Sequence, residues 1–520
     1  MYERKHPLVG WCRLIPGPSD LVFALVLVLV LIGGRHALFN DPGTLWHLRL
    51  GRDIVASGSV PRCDTLTFTR THAPWVDQSW GFDVLLAVVV DHAGWSAVVA
   101  LTALLLAAVY GAMAGGLIRD GIAPVVAVVV ALVMAAIGCI HFLIRPHILT
   151  LAFVYLTLRV CQKQHERGGL SVAWVPVFTA ILANLHGGFL ALPAIVATAA
   201  VGHAISGPWD QDRQRNAIRF FLAFLASCLT ALLNPYGWDL YRHVGNLLVF
   251  SGVTSLICEY QSAPFGKPEA QELEMVLLAL VGLSAISNRR VDRYHLVHLL
   301  VWLHLALTSI RNAPLFALVA ATPLATLLDG PSRAPRTGWM DHGRNSLWVP
   351  GLATSLVLLV AAGAPLGGFD SRMWPFSALA TLNDQPASSR LFHEQDWGGL
   401  IEAECRPIRS SYLDDRFELF GKAAILEYFD ALTGGPTWDT IRDRDRIDMV
   451  WVKPDRGLAK RMFEEPGWTV LYRDSVSVLF GRKPTQGFGH ARSSRINRWS
   501  RISACAFRER ESARQRESAP

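Results

Sequence analysis

Long apolar runs alternate along most of the chain with short loops bearing arginine, lysine, histidine or asparagine. A helix needs about 20 apolar residues to cross the hydrocarbon of a bilayer, and fewer where the bilayer thins. The runs predict spans over 20–38, 95–118, 123–142, 147–160, 172–186, 188–205, 217–233, 274–287, 295–310, 314–328 and 347–364, about eleven in all. Between the first two spans, Leu45, Leu48, Ile54 and Val55 share one helical face, which predicts a helix over Thr44–Ser57. The same reasoning predicts an amphipathic helix over 79–92, with Trp80 at the interface. Beyond 365 the pattern turns mixed. Strands are predicted at 450–452 and 476–480 and helices at 423–432 and 458–463, enough for one small α/β core within 370–483.

Composition sharpens this. Of 520 residues, 51% are hydrophobic and 18% charged, against about 25% charged in soluble domains, and the mean hydropathy is +0.30. An ordinary soluble enzyme is excluded. The fold class is an α-helical polytopic membrane protein with a small C-terminal α/β domain.

Basic residues set the predicted orientation. With Arg4, Lys5 and Arg13 on the cytoplasmic side, alternate loops bring in Arg119, then Lys163 and Arg167, then Arg213, Arg215 and Arg219. Arg289, Arg290 and Arg293 follow, and then Arg333, Arg336 and Arg344. The expected organisation is a cytoplasmic N-terminus (1–19), a membrane domain (20–364) with a large outer loop (39–94), an extracytoplasmic domain (365–483) and an Arg-rich, disordered tail (484–520). The first apolar run reads as an uncleaved span. The tail holds eight Arg and three Glu, so it accounts for +5 of the net charge of +7. The basic balance therefore does not indicate a nucleic-acid partner. The eight cysteines include no C-x-x-C pair, so neither a zinc site nor a disulfide framework is predicted. No Walker A loop, dinucleotide fingerprint, H-E-x-x-H or nucleophile elbow is present.

The predicted outer face collects a different set of residues. Asp41 stands where the first span ends, as a carboxylate able to act as a base or bind a cation; followed by Pro42, it also has the form of a helix cap. His47 and Asp77 lie in the same loop, and Trp75 and Trp80, which flank Asp77, suit either an interfacial anchor or a sugar-stacking platform. Arg145 and Arg311 sit at outer span ends, each near a proline. An arginine there snorkels or pairs with an anion such as phosphate. Asn184 and His186 occupy a glycine-broken turn, and Glu259 a long outer stretch.

These pieces occur as Asp41-Pro42-x-Thr44-x-Trp46-His47-Leu48-x-x-Gly51, Gly58-x-x-Pro61-x-x-Asp64 and Pro74-Trp75-Val76-Asp77-x-x-Trp80. Arg145-Pro146, Ala183-Asn184-Leu185-His186-Gly187-Gly188, Asn234-Pro235-Tyr236-Gly237, Glu259-Tyr260 and Arg311-Asn312-x-Pro314 follow. Trp397-Gly398-Gly399-Leu400 and Asp415-Arg416-Phe417-Glu418-Leu419 complete the series. In this order, over 20–482, the chain resembles a bacterial family of uncharacterised multi-pass proteins that in turn resemble GT-C glycosyltransferases, such as protein O-mannosyltransferases and aminoarabinose transferases.

The resemblance implies transfer of a sugar from a polyprenyl-phosphate-linked donor to a glycan or protein acceptor, on the outer face of a bacterial cytoplasmic membrane. It makes the first-loop Asp a base or a ligand of a divalent cation. The catalytic candidates are Asp41, Asp77 and His47. The candidates for phosphate and substrate are Arg145, Arg311, His186, Asn184, Glu259, Trp46 and Trp75. No metal set is assigned. Position 43 is glycine where the family is expected to carry a second acid, which weakens a metal site and leaves Asp77 or Glu259 to compensate. The alternatives are a non-catalytic protein that binds or moves a lipid-linked glycan, and a membrane scaffold.

Overall fold

The computed structural model describes residues 15–250, 252–329 and 346–483. The expectations for 1–14, for Arg333, Arg336 and Arg344 and for the tail 484–520 lie outside them. The chain is mostly helical with a small C-terminal sheet, as the hydropathy pattern predicts. Its helices are α1 (Pro18–Val28), α2 (Thr44–Ser57), α3 (Trp80–Arg119), α4 (Pro124–Gly138), α5 (His147–Arg167), α6 (Val175–Leu182) and α7 (Ala191–Ile205). They continue as α8 (Gln211–Thr230), α9 (Trp238–Gly245), α10 (Gln271–Ile286), α11 (Arg293–Thr308), α12 (Ala313–Leu328) and α13 (Trp348–Ala361).

Among the described residues, four helices are long and apolar enough to cross a membrane: Trp80–Arg119, Pro124–His141, Gly187–Ile205 and Ile310–Leu328. Pro18–Gly33, Ser171–Leu182 and Trp348–Ala361 are shorter apolar helices. Large apolar side chains point outward from several helices: Ile32, Val125, Val281 and Ile286 are each at least 70% exposed. Water would not tolerate such surfaces, but hydrocarbon does. These helices mark a membrane protein.

Two predicted elements differ. The amphipathic helix over 79–92 and the span 95–118 form one 40-residue helix, α3, bent at Gly94 (φ 73°, ψ 177°). The glycine takes the left-handed region at no steric cost, so the chain turns without a loop. The span expected over 172–186 is a 3-10 turn at Ser171–Trp174 followed by the eight-residue α6, which carries a proline in its first turn.

The C-terminal part forms a four-stranded mixed sheet in the order β1-β2-β4-β3: β1 (Leu391–His393), β2 (Met449–Val452), β3 (Trp468–Arg473) and β4 (Val478–Arg482). β1 lies parallel to β2 with Phe392 opposite Val450, and β2 lies antiparallel to β4 with Val450 opposite Phe480. All four β2 residues are buried, because helices α14 (Gly398–Glu404), α15 (Lys422–Leu432), α16 (Thr437–Arg444) and α17 (Gly457–Glu464) cover the sheet.

Two close approaches join this part to the first loop and the membrane helices. A Cβ on Gly51 would lie 1.9 Å from the Asp83 carbonyl oxygen, so only glycine lets α2 cross α3 at that distance. A Cβ on Gly399 would lie 2.8 Å from the Trp46 nitrogen and 3.0 Å from the Pro42 oxygen, so α14 meets the start of α2 backbone to backbone. These crossings bring the chemistry of three distant segments to one place.

Candidate functional site

Asp41 does not cap α2. Gly43 is the N-cap residue, and the Asp41 side chain accepts instead from the Thr44 hydroxyl at 2.9 Å. Its other oxygen faces Arg145 Nε at 2.9 Å. The same guanidinium donates from Nη2 to Asp415 Oδ2 at 2.6 Å, and its Nη1 lies 3.9 Å from Glu259. Glu259 in turn accepts from Arg311 Nη1 at 2.7 Å, and Arg311 stacks over Tyr260 at 5.0 Å. Three carboxylates and two guanidiniums thus form one chain of contacts. Burial raises the Asp41 carboxyl above its ordinary range against the opposing pull of Arg145. Burial also pushes Asp415 up to about 7, again against Arg145. Glu259 is the reverse: burial would raise it, but Arg311 and then Arg145 hold it below the usual range. Glu259 thus stands between the two arginines.

His47 and Asp77 stand apart from that chain. His47 Nδ1 lies 2.7 Å from Asp83 Oδ1, a consequence of the Gly51 crossing one turn away. Burial, then the Arg145 charge, hold His47 well below the usual imidazole range. A neutral ring engaged at Nδ1 leaves Nε2 as the nitrogen available to a ligand. Asp77 lies behind this pair. Its carboxylate accepts from the Ser79 backbone at 3.1 Å and its own N–H donates to the Tyr236 hydroxyl oxygen at 3.0 Å. Burial pushes its carboxyl up to about 6.

Trp46 and Trp75 are largely buried, and both stack on Arg416, whose guanidinium carbon lies 5.5 Å and 4.6 Å from the two rings. Trp46 also donates to Asp415 at 2.5 Å. Both rings thus contact an internal cation and also line the polar cavity described below. Arg416 pairs with Asp414 at 2.6 Å and with Asp64, from the loop between α2 and α3, at 2.8 Å, and all three are almost fully buried. Asn184 is held structurally: it accepts from Trp80 Nε1 at 3.1 Å and donates to the Ala180 and Leu233 carbonyls at 2.8 Å.

Arg145, Arg311, Glu259, Asp415, His47 and His186 line a cavity of about 390 Å³. Next to it lies a second of about 520 Å³, walled by Leu151, Leu190, Leu247, Leu248, Trp302, Leu305 and Leu315. Gln78, His147, His186, Leu247, Tyr260 and Arg311 belong to both, so the polar and the apolar spaces meet at those six residues. His186 Nδ1 lies 2.7 Å from the Thr150 hydroxyl and accepts from the Gly188 N–H at 3.2 Å, which leaves Nε2 as the protonated nitrogen of a neutral ring. Asp41 lines a third cavity of about 260 Å³ with Trp374, Trp397, Asp396 and Lys453 of the C-terminal part.

The divalent cation implied by the GT-C resemblance is not matched by these side chains. Among the described residues, no three His, Cys, Asp or Glu side chains are grouped so as to hold a metal ion. The oxygens of Asp41 and Asp415 that would ligate one are turned onto a guanidinium.

Sequence reasoning left Asp415, Arg416, Asp64 and Asp83 without roles. The signal for the first two was the Asp415-Arg416 motif, quoted only as part of a pattern. Asp83 lay one turn into a predicted amphipathic helix, with nothing local to tie it to His47.

No family model matches the chain, and no curated protein matches it. Among solved structures, the fold is similar to the apo oligosaccharyltransferase of Archaeoglobus fulgidus, at 12% identity and a TM-score of 0.50, over 86% of this chain and 70% of that one. The arabinofuranosyltransferase AftD from Mycobacteria aligns at 15% identity and a TM-score of 0.48, over 89% of this chain and 40% of its own. The oligosaccharyltransferase is a GT-C-type glycosyltransferase, and the likeness to it is one of fold.

Proposed function

We propose that the chain is a membrane glycosyltransferase that moves a sugar from a polyprenyl-phosphate carrier to an acceptor hydroxyl. One observation carries the reading: a buried carboxylate and two arginines converge beside a polar cavity that opens into an apolar one. That pairing suits a ligand with an anionic head and a hydrocarbon tail. Arg311, Arg145 and His186 take the phosphate, with Glu259 displaced. The bond between the sugar C1 and the phosphate oxygen breaks and its electron pair leaves on the phosphate. The acceptor oxygen bonds to C1, and its proton passes to Asp41. The acceptor, a glycan or a protein, approaches through the third cavity, between Asp41 and the C-terminal part. His47 holds a polar substituent of the sugar, and Asp77 positions His47 through Asp83.

The proposed organisation keeps 20–364 as the membrane domain and 365–483 as an extracytoplasmic domain, in a bacterial cytoplasmic membrane with the N-terminus inside. Alkaline phosphatase fused at position 400 should be active and at position 335 inactive. The opposite result reverses the orientation. The activity itself is tested by mass spectrometry of lipid-linked sugars and cell-surface glycans with and without the gene. Loss should remove one surface sugar and raise its polyprenyl-phosphate precursor. Unchanged pools leave the chain as a non-catalytic binder.

A further inference from the structure

We propose that Arg145 is the fixed cation of this site: its guanidinium stands among Asp41, Asp415 and Glu259 and supplies there the positive charge that a divalent ion would otherwise bring. Three remote segments supply those carboxylates, the first outer loop, the turn at Cys258–Tyr260 and the C-terminal part. Guanidinium is planar, with donors at fixed angles. Nε meets Asp41 at 2.9 Å, Nη2 meets Asp415 at 2.6 Å, and Nη1 points towards Glu259 at 3.9 Å. Nη2 hydrogen-bonds Asp415, and the other two nitrogens lie within ion-pair distance of Asp41 and Glu259.

Position 43 explains why the arrangement is possible. A Cβ there would lie 3.1 Å from Arg145 Nη2 and 3.2 Å from Asp415 Oδ2. The missing side chain makes room for the Arg145–Asp415 pair. A second acid at 43 would press on it. Asp415 is thus the helper that Asp41 lacks in its own loop, delivered from the other end of the chain. The backbone holds the arginine in place as well. The Ile144 N–H donates to the Leu38 carbonyl at 2.9 Å, and the Ile144 carbonyl accepts from Thr44 at 3.2 Å.

A divalent ion cannot reach these oxygens without expelling the guanidinium, because two cations at that separation repel. Asp415 is accordingly a positioning residue, holding Arg145 against Asp41. A tethered cation also stays when a phosphate product leaves and resists chelators.

The test measures metal binding on the full chain in lipid nanodiscs, so it stands or falls separately from the transferase reading. Mn²⁺ is titrated by electron paramagnetic resonance into wild type, Arg145→Met and Arg145→Met/Asp415→Asn. Wild type should bind no Mn²⁺ at micromolar concentration, and EDTA should leave its melting temperature unchanged. Arg145→Met should gain one Mn²⁺ per chain, and adding Asp415→Asn should weaken that binding about tenfold or more. Arg145→Gln repeats the test if the methionine variant does not fold. One Mn²⁺ per wild-type chain, lost in Asp41→Asn, would overturn the proposal. Absence of Mn²⁺ from every variant would overturn it too, since the carboxylates would then not share a point.

Discussion

Replacing Arg416 with methionine should destabilise the protein by about 3–5 kcal/mol, because it strands two buried carboxylates. Asp64 comes from the loop between α2 and α3 and Asp414 from the C-terminal part, and both bond Arg416 with almost no exposure. Their joint field, with that of Glu402, raises Arg416 above its ordinary range although burial acts in the opposite direction. Methionine keeps much of the volume and the contacts with Trp46 and Trp75, so the loss reports the charge. A fall in melting temperature on the order of 10 °C is expected for a unit of this size. Asp64→Asn in the Arg416→Met background should recover part of it by removing one stranded charge. A shift below about 2 °C would mean that water reaches the carboxylates and that this ion cluster does not hold the C-terminal part in place.

The same ion cluster marks where reading the sequence stops. Helix periodicity in 44–57 and the apolar run at 450–452 are local signals, and the structure has a helix at Thr44–Ser57 and a strand at Met449–Val452. The bend at Gly94 has no local signal, since a glycine between apolar runs reads equally well as a loop or as a bent helix. β1 has three residues and β3 alternates poorly, so neither rises above its neighbours in the pattern.

The motifs brought Arg145, Glu259, Arg311 and His186 to notice one by one, and the fold sets them round one cavity. What they bind inside the protein was not legible. The partner of Arg145 is 270 positions away and that of Trp46 is 369, and no spacing rule reaches that far. Trp75 lines that cavity and also stacks on Arg416, and Asn184 bonds the Trp80 indole; neither internal partner has a local signal.

Changing Asp41 to asparagine should lower transfer by about 100- to 10,000-fold, the range for losing a general base, while leaving the fold intact. The geometry separates the two effects. Gly43, not Asp41, is the N-cap of α2, so no cap is lost. Asparagine still accepts from the Thr44 hydroxyl through its amide oxygen. Arg145 keeps Asp415 and Glu259, so no guanidinium is stranded. The charge balance favours the variant at neutral pH. Burial raises the Asp41 carboxyl, so the folded state binds its proton more tightly than the unfolded chain does. Ionised Asp41 therefore costs stability once the pH passes its unfolded value, and a neutral amide removes that cost. The melting temperature of Asp41→Asn should equal or exceed that of wild type near neutral pH, and the gap should close in acid as the wild-type carboxyl takes up its proton. A functional carboxylate held against its own solvation is the kind of residue whose loss stabilises a fold and ends its activity. Purified protein in lipid, assayed for transfer and melted at two pH values, separates the outcomes: near-normal transfer would leave Asp41 as a counter-ion for Arg145 and no more.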